Sequence, residues 1–316
     1  MEMRRTKRKN KKKKKWFIGI ITFLLVVLLA IGGYALYLYQ GAKKLVNEDM
    51  HNPVDAIDTT VTKEKLRKTE KINILLLGID SEEDQFGRSD AIMVMQLNPV
   101  DNEMKIVSIP RDTRTEIIGR GIEDKINHAF AFGANECGAP CGANVSIATV
   151  ENLLDIEIDY YVSINMDGLV ELVDELGSIT VDNTIAWNDG KYDFPEGVIE
   201  LDGEKTKAFV RMRKKDPKGD FGRTQRQRQV IEGIIQKGAS VGTLPNITGL
   251  MNVLGKNMST NMDFDDMKSL FTNYRDTRRN TSEYMLEGTG TTINGIYYLI
   301  VSDEEKLKVN HMLTEE

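Results

Sequence analysis

Histidine and cysteine are scarce in this 316-residue chain, and each scarcity removes a class of chemistry. The three histidines, His51, His128 and His311, are scattered, which argues against a metallo-hydrolase built on imidazole ligands. His128 is read as a loop stabiliser. Cys137 and Cys141 stand alone in Glu-Cys-Gly-Ala-Pro-Cys-Gly, so a zinc site would lack two further ligands. In an oxidising exterior the pair could close a small disulfide loop, with free thiols as the alternative. No internal repeat is present. The loop Glu287-Gly-Thr-Gly-Thr-Thr292 lacks the Gly-Lys-[Ser/Thr] of a phosphate-binding turn and is read as a connector.

Charge is distributed very unevenly. Residues 1–15 hold ten basic side chains against Glu2 alone, leaving 32 basic and 47 acidic residues, net −15, in the remainder. Trp16 to Tyr39 then runs for 24 residues without a formal charge, longer than the roughly 20 needed to cross a bilayer as a helix. The basic flank lies on the N-terminal side, which places residues 1–15 in the cytoplasm and everything after about residue 40 outside. Trp16 and Tyr34, Tyr37 and Tyr39 occupy interfacial positions. A cleaved signal peptide is the competing reading, but the apolar run exceeds the usual h-region and no Ala-x-Ala site follows. Beside a membrane span, the lysine run is explained by topology and attraction to anionic lipid rather than by nucleic acid.

The expected organisation is a basic tail (1–15), a single-pass membrane anchor (16–39), a polar stalk (40–70), an extracytoplasmic catalytic domain (71–308) and a C-terminal tail (309–316). Strands are expected over 72–77, 91–97, 105–109, 160–164 and 179–181. Helices are expected over 146–154, 166–176, 204–211, 222–237, 264–274 and 295–307. This alternation gives an α/β domain in which helices cover both faces of a central mixed sheet.

Candidate site residues sit at strand and helix ends. Asp80 follows the first strand and Asp90 precedes the second, so neighbouring strands would bring both carboxylates to one sheet edge. Two carboxylates suit Mg²⁺, which completes its shell with water and phosphate oxygens, and Mn²⁺ could replace it. The alternative is a pair of ordinary loop aspartates. Arg111 and Asp112 end the third strand. Arg211, Arg213, Arg223, Arg226 and Arg228 crowd one stretch of an otherwise acidic chain, and a guanidinium matches phosphate oxygens bidentately. Arg223 and Gln227, four apart near a helix start, share a face where the helix dipole also favours an anion. Arg211 and Arg213 would diverge by about 200° on a regular helix, so the helix must stop near Arg211 if both are to reach one ligand; the Lys-Lys-Asp-Pro turn makes that stop plausible.

The ordered set Leu-Gly-Ile-Asp80, Arg88-Ser-Asp90, Ile-Pro-Arg111-Asp112-Thr, Lys125-Ile-Asn-His128-Ala, Arg211-x-Arg213 and Asp220-x-x-Arg223-x-x-Arg226-Gln227 resembles the LytR-CpsA-Psr family. The match covers roughly residues 71–245. The resemblance implies a membrane-anchored ligase that moves a glycopolymer, such as teichoic acid or capsule, from a polyprenyl pyrophosphate carrier onto peptidoglycan of a Gram-positive wall. It further implies that Asp80 and Asp90 hold Mg²⁺ and that Arg88, Arg111, Arg211, Arg213, Arg223 and Gln227 grip the pyrophosphate. Lys125 and Asp220 would support them. The Cys137–Cys141 insert and Gly177-Ser178, where a glycine pair is usual, depart from the family pattern.

A sugar hydroxyl of peptidoglycan, by resemblance the 6-hydroxyl of N-acetylmuramic acid, would attack the sugar-proximal phosphorus, with Asp112 either accepting its proton or orienting Arg111. An apolar slot lined from 162–172 and 230–235 would take the carrier tail. Two rivals use the same residues: a non-catalytic membrane-tethered binder or regulator, and a polyprenyl pyrophosphate pyrophosphatase with water as nucleophile.

Overall fold

The computed structural model describes residues 32–80, 87–239 and 247–315. The chain divides into two compact units, Met1–Lys44 and Leu45–Glu316. In the first, residues 32–44 are helical. Most of the span read over 16–39 lies outside the described residues, and among those described no helix is long and apolar enough to cross a membrane.

The second unit opens with a π-helical turn, Val46–Met50, and helix α1 (Thr59–Lys68). Strands β1 (Ile72–Asp80), β2 (Arg88–Asn98) and β3 (Glu103–Ser108) form a meander, followed by a small hairpin of β4 (Arg114–Ile117) and β5 (Ile122–Lys125). Helices α2 (His128–Cys137) and α3 (Ala139–Leu154) lead to β6 (Tyr160–Asn165) and α4 (Met166–Glu175). Four short strands follow, β7 (Ile179–Asn183), β8 (Trp187–Asn188), β9 (Asp193–Phe194) and β10 (Gly197–Leu201), then α5 (Gly203–Arg211) and the long α6 (Asp220–Ala239). The chain closes with α7 (Ile247–Asn257), β11 (Met258–Thr260), α8 (Phe264–Asn273), β12 (Asn280–Met285), a hairpin of β13 (Thr289–Ile293) and β14 (Ile296–Ile300), and α9 (Asp303–Thr314).

The central sheet runs β11-β6-β1-β2-β3-β12 and is mixed: β1 pairs antiparallel with β2 and parallel with β6. Alternation along β1 feeds two cores. Leu75, Leu77 and Ile79 pack with Phe130, Ile147 and Val150 on one face. Ile74 and Leu76 pack with Ile231, Ile235 and Tyr274 on the other. Helices therefore cover both faces, as the sequence pattern implies. A third cluster, with Trp187 stacked on Phe194 at 4.0 Å, joins β7–β10 to α4, α5 and α6.

Three sequence expectations change. The segment read as a stalk over 40–70 belongs from Leu45 onward to the folded unit: Val46, Met50, Val54, Ile57 and Leu66 are buried, and the Ala56 amide donates to Asn144 Oδ1 at 2.7 Å. Its polar composition hides one narrow apolar face. Residues 289–300 form a hairpin rather than a connector and helix start, because Asn294 and Gly295 both adopt positive φ, the two-residue turn that joins twisted strands. Of the expected tail at 309–316, residues 309–314 are the last part of α9, whose Val309 and Leu313 reach the core.

Candidate functional site

Asp80 stands opposite Arg88 in the β1–β2 register, and a bulge falls between Gly78 and Ile79. A Cβ on Gly78 would sit 2.9 Å from that of Ala91, so the strands approach this closely only because residue 78 is glycine. Asp90 is the residue that the bulge leaves unpaired, and it lines one cavity of about 320 Å³ together with Asp80, Arg211, Arg223 and Gln227.

Each arginine arrives by a distinct structural route. Helix α5 ends at Arg211, and Met212 leaves it in extended conformation (ψ 128°), so Arg211 and Arg213 escape the divergence that a continued helix would impose. Arg211 Nη2 donates to Asp80 Oδ1 at 2.9 Å, and Arg213 Nε lies 3.6 Å from Asp220 Oδ1. Arg223 and Gln227 stand one turn apart at the start of α6, as their spacing requires; the Gln227 amide reaches the Asp90 carbonyl at 3.5 Å. From the end of β3, Arg111 Nη1 donates to Asp90 Oδ2 at 2.8 Å, and its Nε lies 3.7 Å from Asp220 Oδ1. Asp112 is buried, held by Lys125 Nζ at 2.6 Å, with Arg111 Nε 3.9 Å from its other oxygen. Arg88 is exposed at the first position of β2.

The cluster is rich in unspent hydrogen bonds. Arg111 Nε, Arg223 Nε and Nη2, and Gln227 Oε1 are buried without a hydrogen-bond partner. Arg223 Nη2 approaches Asp220 Oδ1 to 2.9 Å, but both atoms remain without a directed hydrogen bond, so the pair attracts by charge alone. Burial holds the Arg223 guanidinium below the usual arginine value; Asp220 opposes the shift and Arg111 reinforces it. Burial acts on Arg111 in the same sense but is outweighed by Asp90 and Asp220, which hold its proton more tightly. A buried cation with idle donors gains most from an incoming anion.

Beneath this polar rim the cavity is apolar. Val162, Ile164, Met166 and Leu169 form one wall, Val230 and Ile231 the other. The expected slot thus lies between the sheet and α6, although Leu172 packs into the third cluster instead. Asp80 and Asp90 offer hard oxygen donors on one rim. Among the described residues no third carboxylate, histidine or cysteine completes a metal cluster with them. Two carboxylates fit a cation that takes its remaining ligands from water and phosphate, as Mg²⁺ does.

Cys137 and Cys141 are disulfide-bonded with Cα atoms 5.7 Å apart, closing the turn between α2 and α3. His128 Nδ1 lies 2.7 Å from Asp124 Oδ2 at the start of α2. Sequence reasoning missed Asn127, whose amide donates to Asp90 Oδ1 at 3.2 Å, and gave Arg226 no role. Arg226 is buried behind the rim: its Nε donates to the Phe209 carbonyl at 3.1 Å, Nη2 to the Met212 carbonyl, and Nη1 pairs with Asp216. Nothing in the sequence set Arg226 apart, since a residue three beyond Arg223 shares its side of a helix.

The sequence pattern of the LytR_cpsA_psr family matches residues 34–315. The chain is 43% identical over 301 residues, 94% of its own length and 96% of the relative's, to the Polyisoprenyl-teichoic acid--peptidoglycan teichoic acid transferase TagU of Halalkalibacterium halodurans. The crystal structure of B. subtilis TagU superposes with a TM-score of 0.64 at 40% identity, covering 78% of this chain and 96% of that one. A structure of TagT bound to LIIa-WTA superposes with a TM-score of 0.65 at 29% identity, covering 84% and 95%.

Proposed function

This chain belongs to the LytR_cpsA_psr family, and from that premise we propose that it transfers teichoic acid from a polyisoprenyl pyrophosphate carrier to peptidoglycan. The observation that carries this reading is the pairing of buried, unspent guanidinium donors with an apolar cavity directly beneath them. A diphosphate with a lipid tail satisfies both at once. Its oxygens take the idle N–H groups of Arg111 and Arg223, and the first isoprene units fill the slot between Val162 and Val230.

The acceptor is a sugar hydroxyl. Its oxygen bonds to the phosphorus nearest the polymer as the bond from that phosphorus to the bridging oxygen breaks, and polyisoprenyl phosphate departs with the electron pair. The hydroxyl proton is released to water. Arg111, Arg211 and Arg223 stabilise charge that gathers on the phosphoryl and leaving oxygens, an electrostatic contribution needing no covalent intermediate. Asp112 acts by orienting Arg111, since both of its oxygens face cations. When Mg²⁺ is held by Asp80 and Asp90, it would supply further neutralisation of the same oxygens. Arg88, Arg213 and Gln227 complete the grip, and residues 16–39 anchor the chain with the Leu45–Glu316 unit outside the cell.

The test is transfer by the purified full chain in detergent, supplied with lipid-linked teichoic acid and peptidoglycan. The expected products are a wall-linked phosphodiester and polyisoprenyl phosphate, both lost in Arg223→Ala. Free polymer phosphate without wall linkage would replace the ligase with a pyrophosphatase.

A further inference from the structure

The turn between α5 and α6, Met212-Arg-Lys-Lys-Asp-Pro-Lys-Gly219, has a feature that the transfer chemistry does not use. Its only carboxylate points inward: Asp216 pairs with buried Arg226 and accepts the Lys218 amide at 2.7 Å. Gly222 lies so close that a Cβ there would overlap the Asp216 carboxylate at 1.8 Å. Buried Met212 anchors the other end. The turn is thereby braced from within, while Lys214, Lys215 and Lys218 are exposed on its outside.

These side chains are only lightly engaged. The Lys215 ammonium touches the Asn188 carbonyl, and Lys218 Nζ lies 3.5 Å from Gln225 Oε1. Neighbouring Asp189 is held below the usual carboxylate range chiefly by the amides of Tyr192 and Lys191, with Lys215 a minor contributor. Lys214 stands three residues beyond Arg211, within about 11 Å along the chain of the cavity mouth. The chain beyond residue 15 is net −15, so a cluster of cations next to the mouth offers an anionic polymer an attraction that the unit's overall charge does not.

We propose that Lys214, Lys215 and Lys218 form a subsite for the repeating phosphates of the polymer, beyond the pyrophosphate, so that the enzyme selects donors whose chains are polyanionic. This rests on the transferase reading above and adds a preference for chain charge that the pyrophosphate site cannot supply. An anionic membrane surface is the other ligand a basic turn could meet. Polymer is favoured because the turn continues from Arg211, which lines the cavity, through Arg213, which faces Asp220.

The experiment compares the full-length wild type with a triple variant, K214A/K215A/K218A, on two polyprenyl pyrophosphate donors. One carries a disaccharide without phosphodiester repeats, the other the same disaccharide extended by several. Three exposed cation–phosphate contacts predict roughly a three- to tenfold rise in KM for the extended donor, fading with added salt. The short donor should keep its kcat/KM, which also shows that the variant is folded. The triple Lys→Arg variant should restore the extended donor's KM. Equal losses on both donors, or unchanged KM on the extended one, would overturn the proposal. So would loss of binding to vesicles containing anionic phospholipid with KM unchanged, which would assign the turn to the membrane. If the wild type transfers neither donor, the ligase reading itself falls and the subsite with it.

Discussion

Replacing Arg226 with alanine should damage this protein more than replacing any arginine of the rim. Its three contacts close the C-terminal end of α5: the carbonyls of Phe209 and Met212 have no further helical turn to bond to, and the guanidinium serves both while neutralising Asp216. Both members of the ion pair are almost wholly buried, with side-chain exposures of 5% and 6%. Breaking such a pair leaves an uncompensated carboxylate at a cost of about 3–5 kcal/mol. For a unit of this size that is a fall in Tm of roughly 10 °C. Arg226→Lys keeps the charge but not the three divergent donors, and should lose about half as much.

Activity should fall with stability, because the turn that aims Arg211 and Arg213 is built on Arg226. Denaturant unfolding of Arg226→Ala, Arg226→Lys and the charge-free pair R226M/D216N measures this directly. The double variant should recover part of the loss, since neither partner then carries a buried charge. If Arg226→Ala stays within about 1 kcal/mol of wild type yet loses transfer, Arg226 contacts substrate and the bracing argument is wrong.

Asp90→Asn keeps the side chain's size but removes the charge opposite Arg111 and from the proposed metal site; transfer should fall by about 10²-fold or more while stability changes by about 1 kcal/mol, separable by kinetics and a melting curve. Ser178 sits at φ 153°, a conformation that favours glycine, so Ser178→Gly should stabilise the fold by about 1 kcal/mol, read as a higher midpoint in urea. Burial, reinforced by Glu283, pushes the Glu232 carboxyl up to about 8. The folded state therefore keeps a proton that the unfolded state releases, so stability should decline as pH rises from about 4.5 to about 8 and level off above. Glu232→Gln should flatten that decline in a pH series of unfolding midpoints.

Legibility followed the physical range of each signal. The strands β1, β2 and β6 were plain because buried strands read as continuous apolar runs, and the helix stop at Arg211 followed from geometry and the Asp-Pro pair. The convergence of Asp80, Asp90, Arg111, Arg211 and Arg223 was foreseeable only through the ordered motifs, since no local rule states that β1 pairs with β2 on one side and β6 on the other. Residues 45–70 were misread because average composition is blind to a single buried face. The Asn294-Gly295 hairpin was a strong local signal that the glycine-rich loop before it obscured. Arg226 and Arg228 look like their ligand-facing neighbours in sequence. Only the fold shows that one braces the turn, while the other reaches Ser108 and Glu283.

The arrangement around Asp220 explains how so many like charges can coexist before substrate arrives. A single oxygen, Oδ1, lies 2.9 Å from Arg223 Nη2, 3.6 Å from Arg213 Nε and 3.7 Å from Arg111 Nε. One carboxylate cannot neutralise three guanidiniums, and its geometry satisfies none of the three with a directed bond. It does something different: it gathers them around one point and offsets part of their mutual repulsion. A phosphate entering beside that point finds its donors already aimed, so little of its binding energy goes into ordering side chains. The incomplete compensation is itself useful, because a site fully neutralised by its own carboxylates would have nothing left to offer the charge that develops during transfer.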